Sequence, residues 1–166
     1  MKVRASELPE HAGHALARMG RERPEKAIIR PASATAARTP YYVLMESNRR
    51  IGPKVVQLPA GMECAPIYGF SDKGPYDRFC RNSQLALTPY PLVKVYLREQ
   101  AAAPGDSLKL VVVDADGPRE RCLHAATMEA VLEAQENRAA GVNTGYRLIL
   151  DPTADAYRVE EAPMCR

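Results

Sequence analysis

Apolar and polar positions divide the chain into two regimes. Across residues 1–38 large apolar side chains are sparse, and Pro9, Pro24 and Pro31 interrupt the run. Residues 8–19 can form a short helix opening near Ser6 or Glu7, but its apolar residues are mostly alanine and such a helix is marginal alone. Ile28 and Ile29 are the only other anchors in this arm. From Tyr41 the pattern changes to short apolar runs separated by turn residues. Residues 41–47, 54–58 and 62–68 read as three strands, bounded by Asn48, Gly52-Pro53 and Pro59-Ala60-Gly61. Pro66 predicts an edge or a bulge in the third. Three short strands joined by tight turns predict an antiparallel meander.

The spacing then changes period. Tyr76, Phe79 and Cys80 fall at i, i+3 and i+4, which predicts a helix over 71–83 with Pro75 near its start. Residues 92–97 suit either helix or strand. Thr88-Pro89 ahead of them favours a helix over 89–101, capped by Thr88, with Leu92, Val93, Tyr96 and Leu97 inward. Residues 108–114 form the strongest strand, apolar enough for burial on both faces. Residues 119–138 read as the longest helix, with Leu123, Ala126, Thr127, Ala130, Val131 and Ala134 inward and Gly141 and Asn143 ending it. Residues 146–151 and 156–160 predict a closing hairpin around Pro152. The resulting fold class is α+β: a mostly antiparallel sheet of five to six strands with helices packed on one face. This single domain, 39–166, follows an extended N-terminal arm, 1–38.

A chain of 166 residues with 46% apolar and 26% charged residues matches one ordinary globular domain. The uncharged apolar runs, 110–113 among them, are far below the ~20 residues of a membrane helix, so no span is expected. There is no glycine period and no sustained heptad. The net charge of +3 is too small to argue for nucleic acid, but its distribution is uneven. The arm holds eight Lys or Arg against four Glu, and the remainder sums to −1, the asymmetry of an interaction tail. Its Ala and Arg content resembles an organelle transit peptide, and its four Glu argue against one. Cys64, Cys80, Cys122 and Cys165 form no Cys-x-x-Cys pair, and Glu7, Pro9 and Glu10 stand where a secretory signal needs an apolar stretch. A cytoplasmic location with reduced thiols is the expectation.

Leu58-Pro59-Ala60-Gly61, then Pro66-Ile67-Tyr68-Gly69-Phe70-Ser71, then an inward Phe79 form an ordered set of structural motifs. Over residues 43–79 this resembles part of the small SseB-like α/β domains, and residues 107–138 extend that layout. The departure is Asp72-Lys73-Gly74-Pro75, where the family pattern has an acidic run. The resemblance implies a compact non-catalytic module, often an accessory to other proteins, and carries over no catalytic residue.

Candidate chemistry is thin. Asp114-Ala115-Asp116-Gly117 has the form of a calcium loop, but its twelfth position is Ala125 and not an acid, so a strand-ending turn explains it better. Cys122 and His124, two apart on the expected helix, point in different directions and suit no shared metal. A Cys80–His124 dyad is conceivable across two helices, yet no nucleophile elbow and no phosphate loop occurs. His11 and His14 lack a third ligand nearby. The arm's arginines suit phosphate contact, but the arm has no aromatic residue for base stacking. No metal and no cofactor are expected. The reading that results is a non-catalytic accessory or assembly subunit that binds a protein partner. Arg4, Arg18, Arg21, Arg23 and Arg30 of the arm would make one contact, and the stiff element Pro89, Tyr90 and Pro91 a second. The alternatives are a small cytoplasmic enzyme using Cys80 or Cys122 with His124, and sequence-nonspecific nucleic-acid binding through the arm.

Overall fold

A computed structural model describes residues 36–56, 62–84 and 88–163. In chain order these form β1 (Ala36–Arg38), β2 (Tyr42–Val43), β3 (Met45–Glu46), β4 (Arg49–Arg50), β5 (Cys64–Phe70), α1 (Lys73–Ser83), β6 (Tyr90–Pro91) and α2 (Lys94–Ala102). They continue as β7 (Leu108–Val113), β8 (Cys122–Thr127), α3 (Met128–Glu136), β9 (Gly141–Asn143), β10 (Tyr146–Asp151) and β11 (Ala156–Glu161). The apolar run in β7 makes it the pivot. Leu110 and Val112 bury on one face and Val111 and Val113 on the other, as a strand without polar positions in its second half requires. It pairs in parallel with β5 and antiparallel with β8. The main sheet has seven strands in the order β11-β10-β8-β7-β5-β2-β6, with two-stranded ladders β1–β9 and β3–β4 beside it. The fold is α+β as the pattern implied, with more than the five to six strands expected.

Helices cover both faces, not one. On the first face Tyr76 and Phe79 of α1 stack on Tyr68 and Phe70, with ring centroids 4.6–5.5 Å apart. On the second, Leu97 of α2 and Met128, Val131 and Ala134 of α3 pack over Ile67, Val111 and Ala126. The cause is the parallel β5–β7 pair, which needs a long crossover. That crossover lays α1 on one face, adds β6 as the outermost strand, and returns through α2 on the other.

Local expectations also change. The helix expected over 119–138 is β8 followed by α3. Leu123 and Ala125 join the first-face core while Ala126 joins the second, so the pattern has period two up to Thr127. Thr127 then caps α3, its Oγ1 accepting from the Ala130 N–H at 3.1 Å. The helix expected over 89–101 begins only at Lys94, capped by no side chain, because Tyr90 and Pro91 are taken by the sheet. Leu92 and Leu97 are buried as expected, whereas Val93 is exposed. Gly141 and Asn143 belong to β9, whose partner β1 lies within the stretch assigned to the arm. The strand expected over 41–47 is broken into β2 and β3, and that over 54–58 reduces to a bridge at Val55, with residues 57–58 outside the described set. The hairpin β10–β11 forms where expected.

Residues 51–56 act as a strap. The Ile51 N–H donates to Leu44 O (3.0 Å), and the Tyr68 N–H donates to Ile51 O (2.9 Å) on the side of β5 away from β7. At the other end the Tyr157 N–H donates to Lys54 O (2.8 Å) and the Val56 N–H to Tyr157 O (3.0 Å), on the side of β11 away from β10. On a flat sheet these outer positions would lie six strand spacings apart, ~29 Å. Residues 51–55 span at most ~14 Å. The segment β5-β7-β8-β10-β11 is therefore rolled into an incomplete barrel that the strap closes. Pro66 fits inside this sheet, contrary to the edge or bulge expected, because its missing N–H faces the strap. There Gly52 lies so close that a Cβ would sit 1.9 Å from Pro66 O.

Candidate functional site

The sheet ends at β6, and its geometry follows from a proline every second residue. The Leu92 N–H donates to Tyr41 O at 2.8 Å, so residues 90 and 92 turn their backbone groups toward β2. By strand alternation residues 89 and 91 turn outward, and both are proline. This edge offers no N–H to an added strand, which blocks sheet extension there. The side chains are less guarded. Tyr41, Tyr90, Val93 and Val95 are 43%, 47%, 42% and 60% exposed, and all come from the last strand pair and the start of α2. The edge is held firmly from beneath. Gln135 of α3, 2% exposed, donates Nε2 to Pro40 O (2.8 Å) and Leu92 O (3.2 Å), tying the chain before β2 to the chain after β6.

Of the residues singled out in the sequence, Pro89, Tyr90 and Pro91 fall on this edge. Arg4, Arg18, Arg21, Arg23 and Arg30 lie outside the described residues, as do His11, His14 and Cys165. Tyr41, Val93 and Val95 were not singled out, since a helix from 89 turns Val93 inward. The available signal was the spacing of Pro89 and Pro91, which suits an edge strand better than a helix.

Most of the remaining candidates are drawn into structural work or kept apart. Asp114 has φ 50° and accepts from the Ser71 N–H (2.7 Å) and the Ser71 hydroxyl (2.6 Å), tying together the ends of β5 and β7. Asp116 accepts from Arg78 Nε at 3.0 Å, and Glu120 accepts from the Asp116 N–H at 2.7 Å. The Asp-x-Asp-Gly stretch is thus a braced turn. Cys80 lies on α1 over the first face, whereas His124 alternates with Leu123 and Ala125 and faces the second. The sheet separates that pair. Cys122 and His124 sit two apart on a strand and so share a face, a correction to their expected divergence on a helix. Among the described residues no three His, Cys, Asp or Glu gather to hold a metal ion. Burial pushes the Cys64 thiol up to about 11, leaving it protonated at neutral pH. No helix among the described residues is long and apolar enough to cross a membrane. No protein-family model, curated protein or solved structure matches the chain.

Proposed function

We propose that the protein is a non-catalytic accessory or assembly module that docks a protein partner on the β6–α2 edge. The observation that supports this reading is the grouping of Tyr41, Tyr90, Val93 and Val95, exposed and apolar, around a strand whose outward backbone is closed by Pro89 and Pro91. Aromatic and apolar anchors of this kind carry most of the energy in protein interfaces. The prolines restrict docking to side-chain packing, since strand addition lacks its donors. Lys94 and the start of α2, which no side chain caps, supply positive potential beside the patch, so the partner offers an apolar surface flanked by acidic groups. The basic arm, through Arg4, Arg18, Arg21, Arg23 and Arg30, adds a second contact to acidic side chains of the same partner.

The test is native size in the source cells. The chain has a mass of 18.3 kDa. It is expected to elute from gel filtration of lysate in a much larger particle, and a Tyr90→Ser, Val95→Ser double variant to shift toward the monomer position. Both side chains are exposed, so the variant keeps its fold, which a thermal melt checks. Elution of the native chain as a monomer, or a large particle unmoved by the variant, overturns the proposal.

A further inference from the structure

The rolled sheet leaves an opening at its strapped end. Among the described residues a cleft of about 420 Å³ lies between the strap, the turn at Pro118 and the first face of the sheet. Its floor is Leu44, Tyr68, Phe79, Leu150 and Tyr157, and Gly52, Pro53 and Lys54 of the strap form one wall. Barrel mouths of this size and mixed lining are common places for small ligands. The walls are fixed before any ligand arrives. The strap is hydrogen-bonded at both ends, and Gly52 is wedged on the Pro66 carbonyl. Tyr157 is locked by its hydroxyl, which donates to Glu120 O at 2.7 Å and lies 3.2 Å from Pro118 O.

Two features give the cleft a chemical preference. Tyr68 lines it, and its hydroxyl makes no hydrogen bond among the described residues while keeping some access to solvent. Burial, reinforced by Tyr157 and Glu120, pushes its ionisation up, so it stays a neutral donor. At the rim stand Lys54 and Arg119 with Asp155, which Arg119 meets at 2.9 Å, and the Glu120 carboxylate lies near enough to act on Tyr68 and Tyr157. Arg119 and Asp155 are both about 70% exposed, so an incoming anion can exchange for Asp155.

We infer that this cleft binds a small apolar or aromatic molecule carrying a carboxylate, its body on Tyr68, Phe79 and Leu150 and its acid group on Lys54 and Arg119. The site lies apart from the β6–α2 edge and does not depend on the docking proposal. The Tyr68 hydroxyl donates to an acceptor on the buried end of the ligand.

The test uses 2-naphthoate as probe and amide NMR of the full chain. Saturable shifts confined to the strap, Tyr68, Leu150 and Tyr157 are expected. A Lys54→Gln, Arg119→Gln double variant, both positions exposed, is expected to weaken binding tenfold or more, and neutral 2-naphthylmethanol to bind the native chain correspondingly less well. Absence of shifts at millimolar probe, or shifts elsewhere on the protein, overturns the inference. Equal binding of the neutral probe overturns the assignment of Lys54 and Arg119.

Discussion

Replacing Gly52 by alanine puts a methyl group where the Pro66 carbonyl already sits. The added Cβ would lie 1.9 Å from Pro66 O, 2.5 Å from its carbonyl carbon and 2.8 Å from Ile67 Cα. All three are backbone atoms of β5, held by pairing to β7, so a side chain cannot swing aside to relieve the clash. A comfortable carbon–oxygen separation is ~3.3 Å, so the strap must move out by about 1.4 Å. That displacement breaks or stretches the Tyr68 N–H bond to Ile51 O and the Ile51 N–H bond to Leu44 O. Two backbone bonds at ~1 kcal/mol each, plus overpacking of 1–3 kcal/mol, less the gain from a stiffer unfolded chain, give roughly 2–4 kcal/mol. In urea this lowers the unfolding midpoint by roughly 1–2 M at an m-value of ~2 kcal/mol/M. Hydrogen exchange should accelerate first at the Tyr68 and Tyr157 amides. Gly74→Ala is the control: nothing lies within 4 Å of its added Cβ, so it should be neutral or stabilise by up to ~1 kcal/mol. A Gly52→Ala protein within ~0.5 kcal/mol of the native chain, with Tyr68 protection unchanged, would refute the view of the strap as a clamp.

Leu123→Ala in β8 should cost about 2–5 kcal/mol by chemical denaturation, because Leu123 is 1% exposed in the first-face core. His124→Ala, on the opposite face, should cost far less. Asp114→Ala should destabilise by about 3 kcal/mol, losing both Ser71 bonds while keeping a positive φ. Asp114→Gly should recover part of that loss in the same assay. For Cys64, iodoacetamide labelling at pH 8 should be slow, since a thiol at about 11 is only ~0.1% thiolate there. The labelling rate should climb steeply between pH 9 and pH 11. The sign for stability follows from the same shift. With the folded-state pKa raised above the unfolded value, Cys64 contributes fully below the ordinary thiol range, and its contribution is lost as pH rises toward 11. Urea midpoints measured across that window should therefore fall.

Sequence pattern captured the elements whose local preference and tertiary role agree. β7 is apolar at every position of its second half and is buried on both faces. α1 follows the Tyr76 and Phe79 spacing, and β10–β11 surround Pro152 as a hairpin. It misread Cys122–Thr127 because alanine and leucine suit a helix, while β7 needs a second neighbour and recruits that stretch as a strand. Residues 90–97 divided at Val93 for a similar reason, the first part being claimed by β2. Within the candidate docking edge the prolines and Tyr90 were legible. The cleft was not, since Lys54, Tyr68 and Arg119 are separated by 65 positions and meet only because the sheet rolls.

The pairing of β5 with β7 also sets a schedule for synthesis. β7 leaves the ribosome roughly 40 residues after β5, a wait of some 2–8 s at ~5–20 residues/s. During that wait the nascent segment holds β2, β5 and β6 without the strand that should cover the long side of β5. An unpaired apolar strand in this position invites pairing with another nascent chain. Pro66 lacks its donor only on the strap side, so the β7-facing side of β5 stays open, whereas Pro89 and Pro91 have none to offer on the far side of β6. The prolines of β6 thus close one edge of the nascent sheet to mispairing on the polysome, while the long side of β5 stays exposed until β7 arrives to claim its place.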